Sequence, residues 1–278
     1  MSQTLVIGAN GTVGSPLVDL LRQRGVAVRR ATSRTPQAAD EVHLDLVKQQ
    51  GLDAAFRGVK QAFLLSPPGH TNQDALLIPV IDAAKRHGVE KIVLMTAMGA
   101  NLDPSSPLRK TELHLEGVGL AYNIIRPNWF MQNFNSYWLH GIHNERTIAL
   151  PVGTARGSFI DARDISAVAA ALLMRHDLDN RDFDLTGATA LNHEEVARIL
   201  SSVTGLNIKF QDITPKVMRP GLLAAGLPPD YADFLLIILS FFKMGYAERT
   251  TDAVQTITGQ APRSFEDYAR DYRVAWLG

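Results

Sequence analysis

The chain has 278 residues, of which 46% are hydrophobic, and it contains no cysteine. Disulfides, thiolate catalysis and cysteine-ligated metals are therefore excluded. The length suits one large α/β domain or a core plus a small lobe, and the apolar fraction is enough for a sizeable buried core. Lys and Arg together number 28, as do Asp and Glu, so the charge gives no reason to expect a nucleic-acid or membrane partner. The opening segment, MSQTLVIGANG, lacks the basic stretch of a secretion signal, and we expect a cytoplasmic protein.

A glycine-rich turn lies between the first predicted strand and the first predicted helix. Thr4–Gly8 forms the strand, GANGTVG at 8–14 the turn, and Ser15–Arg24 the helix. This order is the context in which backbone amides and a helix N-terminus hold a pyrophosphate. The predicted cofactor-binding residues of this turn are Gly8, Asn10, Gly11, Thr12, Val13 and Gly14.

Strands and helices alternate through the first two thirds of the chain. The predicted strands are Thr4–Gly8, Val26–Thr32, Glu41–Leu44, Gln61–Ser66, Lys91–Thr96 and Ala121–Arg126. The predicted helices are Ser15–Arg24, Leu52–Arg57, Asn72–His87 and Ser106–Glu116. Continuous apolar runs such as AFLLS are typical of parallel strands that are covered on both faces. The pattern predicts an α/β fold with a Rossmann-type doubly wound parallel sheet.

The regular alternation of strands and helices ends after Arg126-Pro127. We expect a short strand at Phe159–Ile160, a helix at Ala162–Met174, a strand at Asp182–Thr186 and mostly helices afterwards. The chain is thus predicted to be one domain of 278 residues, with a small, mostly helical C-terminal lobe. We assign the core to about 1–135 plus 155–187, and the substrate lobe to about 136–154 plus 188–278. The apolar run FLLIILSFF, which begins at Phe234, is either a buried helix or the wall of an apolar pocket or interface.

The end of the second strand indicates which dinucleotide is preferred. An NAD site usually places an acidic residue there for the ribose 2′-hydroxyl, but no carboxylate occurs between Asp19 and Asp40. Ser33 and Arg34 stand at this point instead, and a guanidinium can pair with a 2′-phosphate. NADP(H) is therefore the preferred cofactor, with NAD(H) possible. Asp45 is a candidate for the adenine amino group, or else it caps the next turn.

Seven segments together resemble the NmrA-like group of atypical short-chain dehydrogenases/reductases. They are GANGTVG at 8–14, FLLSPPG at 63–69, HGVEKIVLMTAMGA at 87–100, IIRPNWFMQNF at 124–134, FIDARDISAVAAALL at 159–173, DLTG at 184–187 and TGQAPRSFEDYARDY at 258–272. The group includes quinone, dye and isoflavone-type reductases, and also regulators that bind the dinucleotide and sense redox state. The resemblance implies a Rossmann core with a small C-terminal lobe.

The resemblance also implies further site residues. Its cofactor contacts fall on Leu65, Ser66, Pro67, Thr96, Ala97, Met98, Lys110, Pro127, Asn128 and Phe130. The 2′-phosphate contact falls on Arg34, or on Ser33 because the chain is one residue longer at this point. The expected substrate-binding residues are Met98, Trp129, Phe130, Asn133 and Phe134. The aromatic ones either stack on a planar acceptor or pack in the core.

The Tyr-x-x-x-Lys pair of most short-chain dehydrogenases is absent, since none of the six tyrosines has a lysine four residues on. This departure disfavours alcohol dehydrogenase and epimerase chemistry. Lys110 and Asn133 are the candidate catalytic residues, and Glu112 and His114 are further candidates for a proton donor. His140 and His143 lack an evident third ligand, so no metal is expected.

Three functions remain open from the sequence. The first is an NADPH-dependent oxidoreductase that transfers hydride to a planar conjugated acceptor such as a quinone, dye, enone or imine. The second is an NAD(P)-binding redox-sensing regulator without turnover, and the third is an NAD(P)-dependent epimerase or isomerase. The expected partner is a small planar substrate, with a homodimer possible.

Overall fold

A computed structural model describes residues 3–277, which form two compact units. The first unit comprises residues 3–127, 163–184 and 256–259, and the second comprises 128–162, 185–255 and 260–277. Residues 128–135 and 155–162, which we assigned to the core, belong to the second unit. The functional division into a cofactor core and a substrate lobe stays a prediction.

The elements follow one another in the order expected for the first two thirds of the chain. The strands are β1 (Gln3–Val6), β2 (Ala27–Thr32), β3 (Glu41–His43), β4 (Val59–Leu65), β5 (Lys91–Met95), β6 (Ala121–Pro127), β7 (Thr147–Leu150), β8 (Arg156–Gly157), β9 (Arg181–Leu185), β10 (Leu191–Asn192) and β11 (Lys209–Asp212). The α-helices are α1 (Gly14–Gln23), α2 (Leu52–Phe56), α3 (Gln73–Arg86), α4 (Pro107–Gly117), α5 (Leu139–Glu145), α6 (Ala162–Met174), α7 (His193–Thr204), α8 (Pro215–Ala224), α9 (Pro229–Lys243), α10 (Ala253–Thr258) and α11 (Phe265–Asp271). Short 3₁₀ turns occupy Ala100–Leu102, Met131–Asn135 and Arg273–Trp276.

The central sheet has seven strands in the order β3-β2-β1-β4-β5-β6-β9. Pairing is parallel from β3 across to β6, with Val6 opposite Arg30 on one side and Phe63 on the other. The first six strands thus have the doubly wound order 3-2-1-4-5-6, which confirms the predicted fold class. From β1 the sheet grows one way through β2 and β3, and from β4 it grows the other way through β5 and β6. In such sheets, ligands bind beyond the carboxyl ends of the strands at the point between β1 and β4.

Lys91 is an unusual residue in the sheet, because it is a fully buried lysine within the apolar strand β5. Its Nζ donates to the carbonyl oxygens of Leu172 and Arg175, each at 2.6 Å, and pairs with Asp179. The last carbonyls of an α-helix have no partner inside the helix. Lys91 therefore joins β5 to the C-terminal end of α6.

The second unit contains two small sheets and an aromatic core. β11 pairs parallel with β7, and β10 pairs antiparallel with β8. Phe134, Phe159 and Trp276 are fully buried in this core, which also contains His193 at the start of α7. Among the described residues, neither ring nitrogen of His193 has a hydrogen-bond partner, and burial lowers the pKa of His193 to about 3. Five aromatic rings surround its imidazole at 5.2–5.9 Å: Phe134, Trp138, Phe159, Phe210 and Phe242.

Two expectations for the later part of the chain need correction or refinement. Phe159–Ile160 is not a strand, because Ile160 makes only an isolated parallel bridge to Phe130, and β8 lies earlier, at Arg156–Gly157. The apolar run forms α9, which buries Leu239 and Phe242 but exposes Ile237 and Phe241. Within residues 3–277, no helix is long and apolar enough to cross a membrane.

Candidate cofactor site

The turn between β1 and α1 is shaped by glycine at two positions. Gly8 has φ +72°, and its carbonyl oxygen accepts from the Gly11 amide at 2.8 Å. A Cβ on Gly14 would lie 2.1 Å from the same oxygen, so α1 approaches the end of β1 more closely than any side chain permits. The predicted glycine-rich turn thus has a physical need for glycine at both ends.

The middle of this turn is open, as a dinucleotide site requires. Gly11 and Thr12 are exposed, and a Cβ on Gly11 would meet only the Gly8 oxygen, at 3.1 Å. No group among the described residues accepts a hydrogen bond from the amides of Thr12 or Val13. These amides precede a ten-residue helix whose N-terminus favours anions. The turn therefore fits a pyrophosphate.

The end of β2 carries two different kinds of arginine. Ser33 and Arg34 are exposed, and within residues 3–277 the Arg34 guanidinium forms no ion pair. Arg30, by contrast, is held by Asp40 through Nε–Oδ2 at 2.8 Å and Nη2–Oδ1 at 2.9 Å. Its Nη1 lies 3.3 Å from Oδ1 of Asn10 in the glycine-rich turn. Sequence reasoning missed Arg30 and Asp40, because ten residues separate the partners and only the β2–β3 pairing brings them together.

Asp45 caps the turn that follows β3. Its Oδ1 accepts from the amides of Val47 at 3.0 Å and Lys48 at 2.9 Å, and the Lys48 amide lowers the pKa of Asp45. The structure thus shows the capping role that the sequence left open. The adenine contact stays a prediction.

The loop after β4 lies beside the glycine-rich turn, since β4 and β1 are neighbours in the sheet. The Leu65 side chain is the nearest group to Gly8, with its Cδ atoms 3.2 Å from where a Cβ on Gly8 would stand. Ser66 and Pro67 follow at half-buried positions. The carboxyl ends of β1, β2 and β4 therefore gather most of the predicted phosphate and ribose residues at one sheet edge.

A buried ion-pair network fixes the segment after β5. The Thr96 hydroxyl donates to Glu112 Oε1 at 2.6 Å, and Arg126 holds both oxygens of Glu112 at 2.8 Å. Burial acts against the charge on Arg126, but its bonds to Glu112 and Asp182 raise its pKa. Glu112 is fully buried and engaged, which makes it an anchor for Thr96 rather than a free proton donor.

Ala97 and Met98 continue from this anchor at half-buried positions, and the Met98 amide donates to the Pro127 carbonyl at 3.0 Å. The main chain after β5 is thereby tied to the end of β6. Lys110 lies on α4 with about half of its side chain exposed, 3.9 Å from Asp74 on α3. His114 pairs with Asp82 at 2.7 Å on the surface of the same helix pair.

The segment that follows β6 belongs to the second unit, and its residues differ in accessibility. Asn128 is buried, and its Nδ2 donates to Ser158 Oγ at 2.7 Å and to the Ala247 carbonyl at 2.8 Å. Its side chain thus links the segment after β6 to Ser158 and to the main chain at Ala247. Trp129, Phe130 and Asn133 are half-buried and keep part of their surface accessible.

Phe134 is fully buried among the rings of the aromatic core, at 4.6 Å from Trp138 and 5.4 Å from Phe159. Of the two alternatives that the sequence left open for it, core packing is the one seen. Within residues 3–277, no three His, Cys, Asp or Glu side chains are grouped so that they could hold a metal ion.

Known proteins match the chain over nearly its full length. Residues 8–176 match the family described as NAD(P)H-binding. The chain belongs to this family. An NAD(P)H azoreductase from Xenophilus azovorans is 30% identical, and the alignment covers 98% of each chain. The predicted membership of the NmrA-like atypical short-chain dehydrogenases/reductases is confirmed, and the protein is an NAD(P)H-dependent reductase of this type.

Two solved structures have the same fold. The triphenylmethane reductase of Citrobacter sp. in complex with NADP(H) is 21% identical, with a TM-score of 0.82 over 98% of this chain and 99% of that chain. The NADPH-dependent quinone oxidoreductase of Escherichia coli in complex with NADPH is 20% identical, with a TM-score of 0.84 over 96% of this chain and 99% of that chain. At these identities, the likeness concerns the fold.

Proposed function

We propose that this NAD(P)H-dependent reductase prefers NADPH and transfers hydride to a planar conjugated acceptor such as a quinone or a dye. The observation that carries the cofactor part is Arg34, which follows β2, is exposed and, within residues 3–277, forms no ion pair. A guanidinium in this place is suited to the 2′-phosphate of NADP(H). The acceptor part is supported by the relatives, which are named for azo, triphenylmethane and quinone reduction.

The dinucleotide, when bound, supplies the hydride, and the protein supplies binding and orientation. The proposed cofactor contacts are the turn residues Gly8, Asn10, Gly11, Thr12, Val13 and Gly14, with Leu65, Ser66, Pro67, Thr96, Ala97 and Met98 at the neighbouring strand ends. The Thr96 hydroxyl already donates to Glu112, so it can offer a ligand only its lone pairs. The main chain around Thr96 is thus held rigid by the Glu112–Arg126 pair.

We place the acceptor against Trp129 and Phe130, whose partly exposed rings suit a flat conjugated molecule. Asn133 is the proposed orienting group, and its half-buried position fits a polar contact with the acceptor. Lys110 is paired with Asp74, so a proton-donor role requires that this 3.9 Å pair open. Water is the simpler proton source, since the Tyr-x-x-x-Lys pair is absent.

Steady-state oxidation of NADPH and NADH, each with a panel of quinones, triphenylmethane dyes, azo dyes and enones, tests the proposal. Turnover that is faster with NADPH at equal concentration is the expected result. Faster turnover with NADH would overturn the cofactor preference. Measurable dinucleotide binding without turnover of any acceptor would instead favour the redox-sensing function.

A further inference from the structure

Four charged side chains form a cluster at the β2–β3 pair, beside the predicted 2′-phosphate position. Asp40 holds Arg30 in the bidentate pair described above and also contacts Arg22 from α1. Glu41 lies 3.2 Å from Nη1 of Arg30. Two carboxylates therefore face two guanidiniums, and the cluster has no net charge.

Asp40 is ionised at neutral pH, as an Asp carboxyl ordinarily is, and its hydrogen bond with Arg30 lowers its pKa further, to about 2. The Arg30 guanidinium reaches Asn10 of the glycine-rich turn from within β2, so it lies near the place where the ribose of a dinucleotide is expected. An ionised carboxylate here repels a 2′-phosphate and occupies the donors of the guanidinium that would otherwise bind it. Among the described residues that follow β2 up to Asp40, Arg34 is then left as the cation available to a 2′-phosphate.

We propose that Asp40 is a specificity-determining residue, which limits the preference for NADP(H) over NAD(H) by withholding Arg30 from the 2′-phosphate. This inference rests on the proposed function, in that it assumes that the adenosine ribose lies at the end of β2. Asp40 thereby disfavours the 2′-phosphate, as the acidic residue of NAD sites does. It stands directly before β3, however, and not directly after β2. On this proposal, the protein is expected to bind NAD(H) as well, despite Arg34.

Binding of NADP⁺ and NAD⁺ to the wild type and to Asp40→Asn, measured by calorimetry, tests the proposal. Loss of the carboxylate frees Arg30 and removes a repulsive charge, so the Kd for NADP⁺ should fall about tenfold. The Kd for NAD⁺, which lacks the phosphate, should change by less than about twofold. The Arg30 amide bonds to the main-chain carbonyl of residue 40, and the substitution leaves this bond in place.

Three variants control the result. Asp19→Asn makes the same change in net charge at an exposed position of α1 and should leave the ratio of the two Kd values unchanged. Asp40→Glu keeps the charge and should stay near the wild type. Arg30→Ala combined with Asp40→Asn should lose the gain in NADP⁺ affinity.

An unchanged Kd ratio in Asp40→Asn would overturn the proposal, as would an equal change for both dinucleotides. A gain that persists without Arg30 would also overturn it. Because the oxidised dinucleotides bind without turnover, this result is independent of whether any acceptor in the panel is reduced. Failure of the acceptor assignment is thus distinguishable from failure of this inference.

Discussion

At the scale of single residues, the cofactor turn uses glycine for packing at one position and for access at another. Gly14 packs its Cα against the main chain of Gly8, whereas Gly11 is exposed and a Cβ there would meet only the Gly8 oxygen, at 3.1 Å. The two requirements are different in kind. Replacing Gly14 should affect both folding and binding, whereas replacing Gly11 should affect binding.

Gly14→Ala should destabilise the protein by about 1–3 kcal/mol, because the new methyl group would stand 2.1 Å from the Gly8 oxygen. The displaced turn should also weaken NADP⁺ binding by at least about tenfold. Urea unfolding and calorimetry measure the two effects. Gly117→Ala, on α4 with no atom near the new Cβ, is the matched control and should be neutral or slightly stabilising. Wild-type stability and binding in Gly14→Ala would contradict the packing argument.

Arg34→Ala should raise the Kd for NADP⁺ about 10- to 100-fold, since a charge-assisted hydrogen bond contributes about 1.5–3 kcal/mol. The Kd for NAD⁺ should remain within about twofold, because NAD⁺ has no 2′-phosphate. Arg24→Ala removes another exposed arginine, at the end of α1, and controls for the general loss of positive charge. Equal losses for both dinucleotides in Arg34→Ala would argue against a 2′-phosphate contact.

At the scale of elements, β5 and α6 are joined by a lysine where an apolar residue would be the usual choice. Lys91 satisfies two carbonyl groups at the end of α6 and the carboxylate of Asp179. If the ammonium is removed, the two carbonyl groups lose this partner and, among the described residues, Asp179 keeps only its contact with His176, at 3.1 Å. The link therefore fixes the end of one element to the body of another.

Lys91→Met, which keeps an unbranched side chain but removes the ammonium group, should lower the free energy of unfolding by about 3–5 kcal/mol, because it leaves buried polar groups unpaired. Denaturant titration gives this number. Lys60→Met is the matched control, since Lys60 pairs with Glu90 on the surface, where such a pair contributes about 1 kcal/mol or less. A loss in Lys91→Met no larger than that of the control would show that the buried pair contributes little.

At the scale of the whole molecule, the sequence predicted those elements that a local pattern of apolar residues marks. The six strands from β1 to β6 were found because β1, β4, β5 and β6 contain short apolar runs, and turn or helix signals separate the segments. The pairing of β7 with β11 was missed, because about sixty residues separate the strands and KFQD has no alternating pattern. The Arg30–Asp40 pair and the buried Lys91 were missed for a related reason. In each case a charged residue finds its partner only through tertiary structure, whereas its type alone predicts exposure.

His193 couples the stability of the molecule to pH. Its pKa is about 3 in the folded protein, because it is buried, against about 6.5 in an unfolded chain. Above pH 6.5 the group is neutral in both states and its stabilising effect is complete. Below that pH only the unfolded chain takes up the proton, so stability falls as the pH drops towards 3, by about 1.4 kcal/mol for each unit.

The contribution of His193 is isolated by comparing the wild type with His193→Phe. This variant keeps an aromatic ring in the aromatic core and removes the titrating group. Between pH 6.5 and 4.5, the wild type should lose about 2–3 kcal/mol more than this variant in urea unfolding. His140→Phe, at an exposed position, retains His193 and should follow the wild type. If the free energy of unfolding changes with pH in the same way for the wild type and His193→Phe, the imidazole must be protonated inside the aromatic core, with the five rings stabilising the cation.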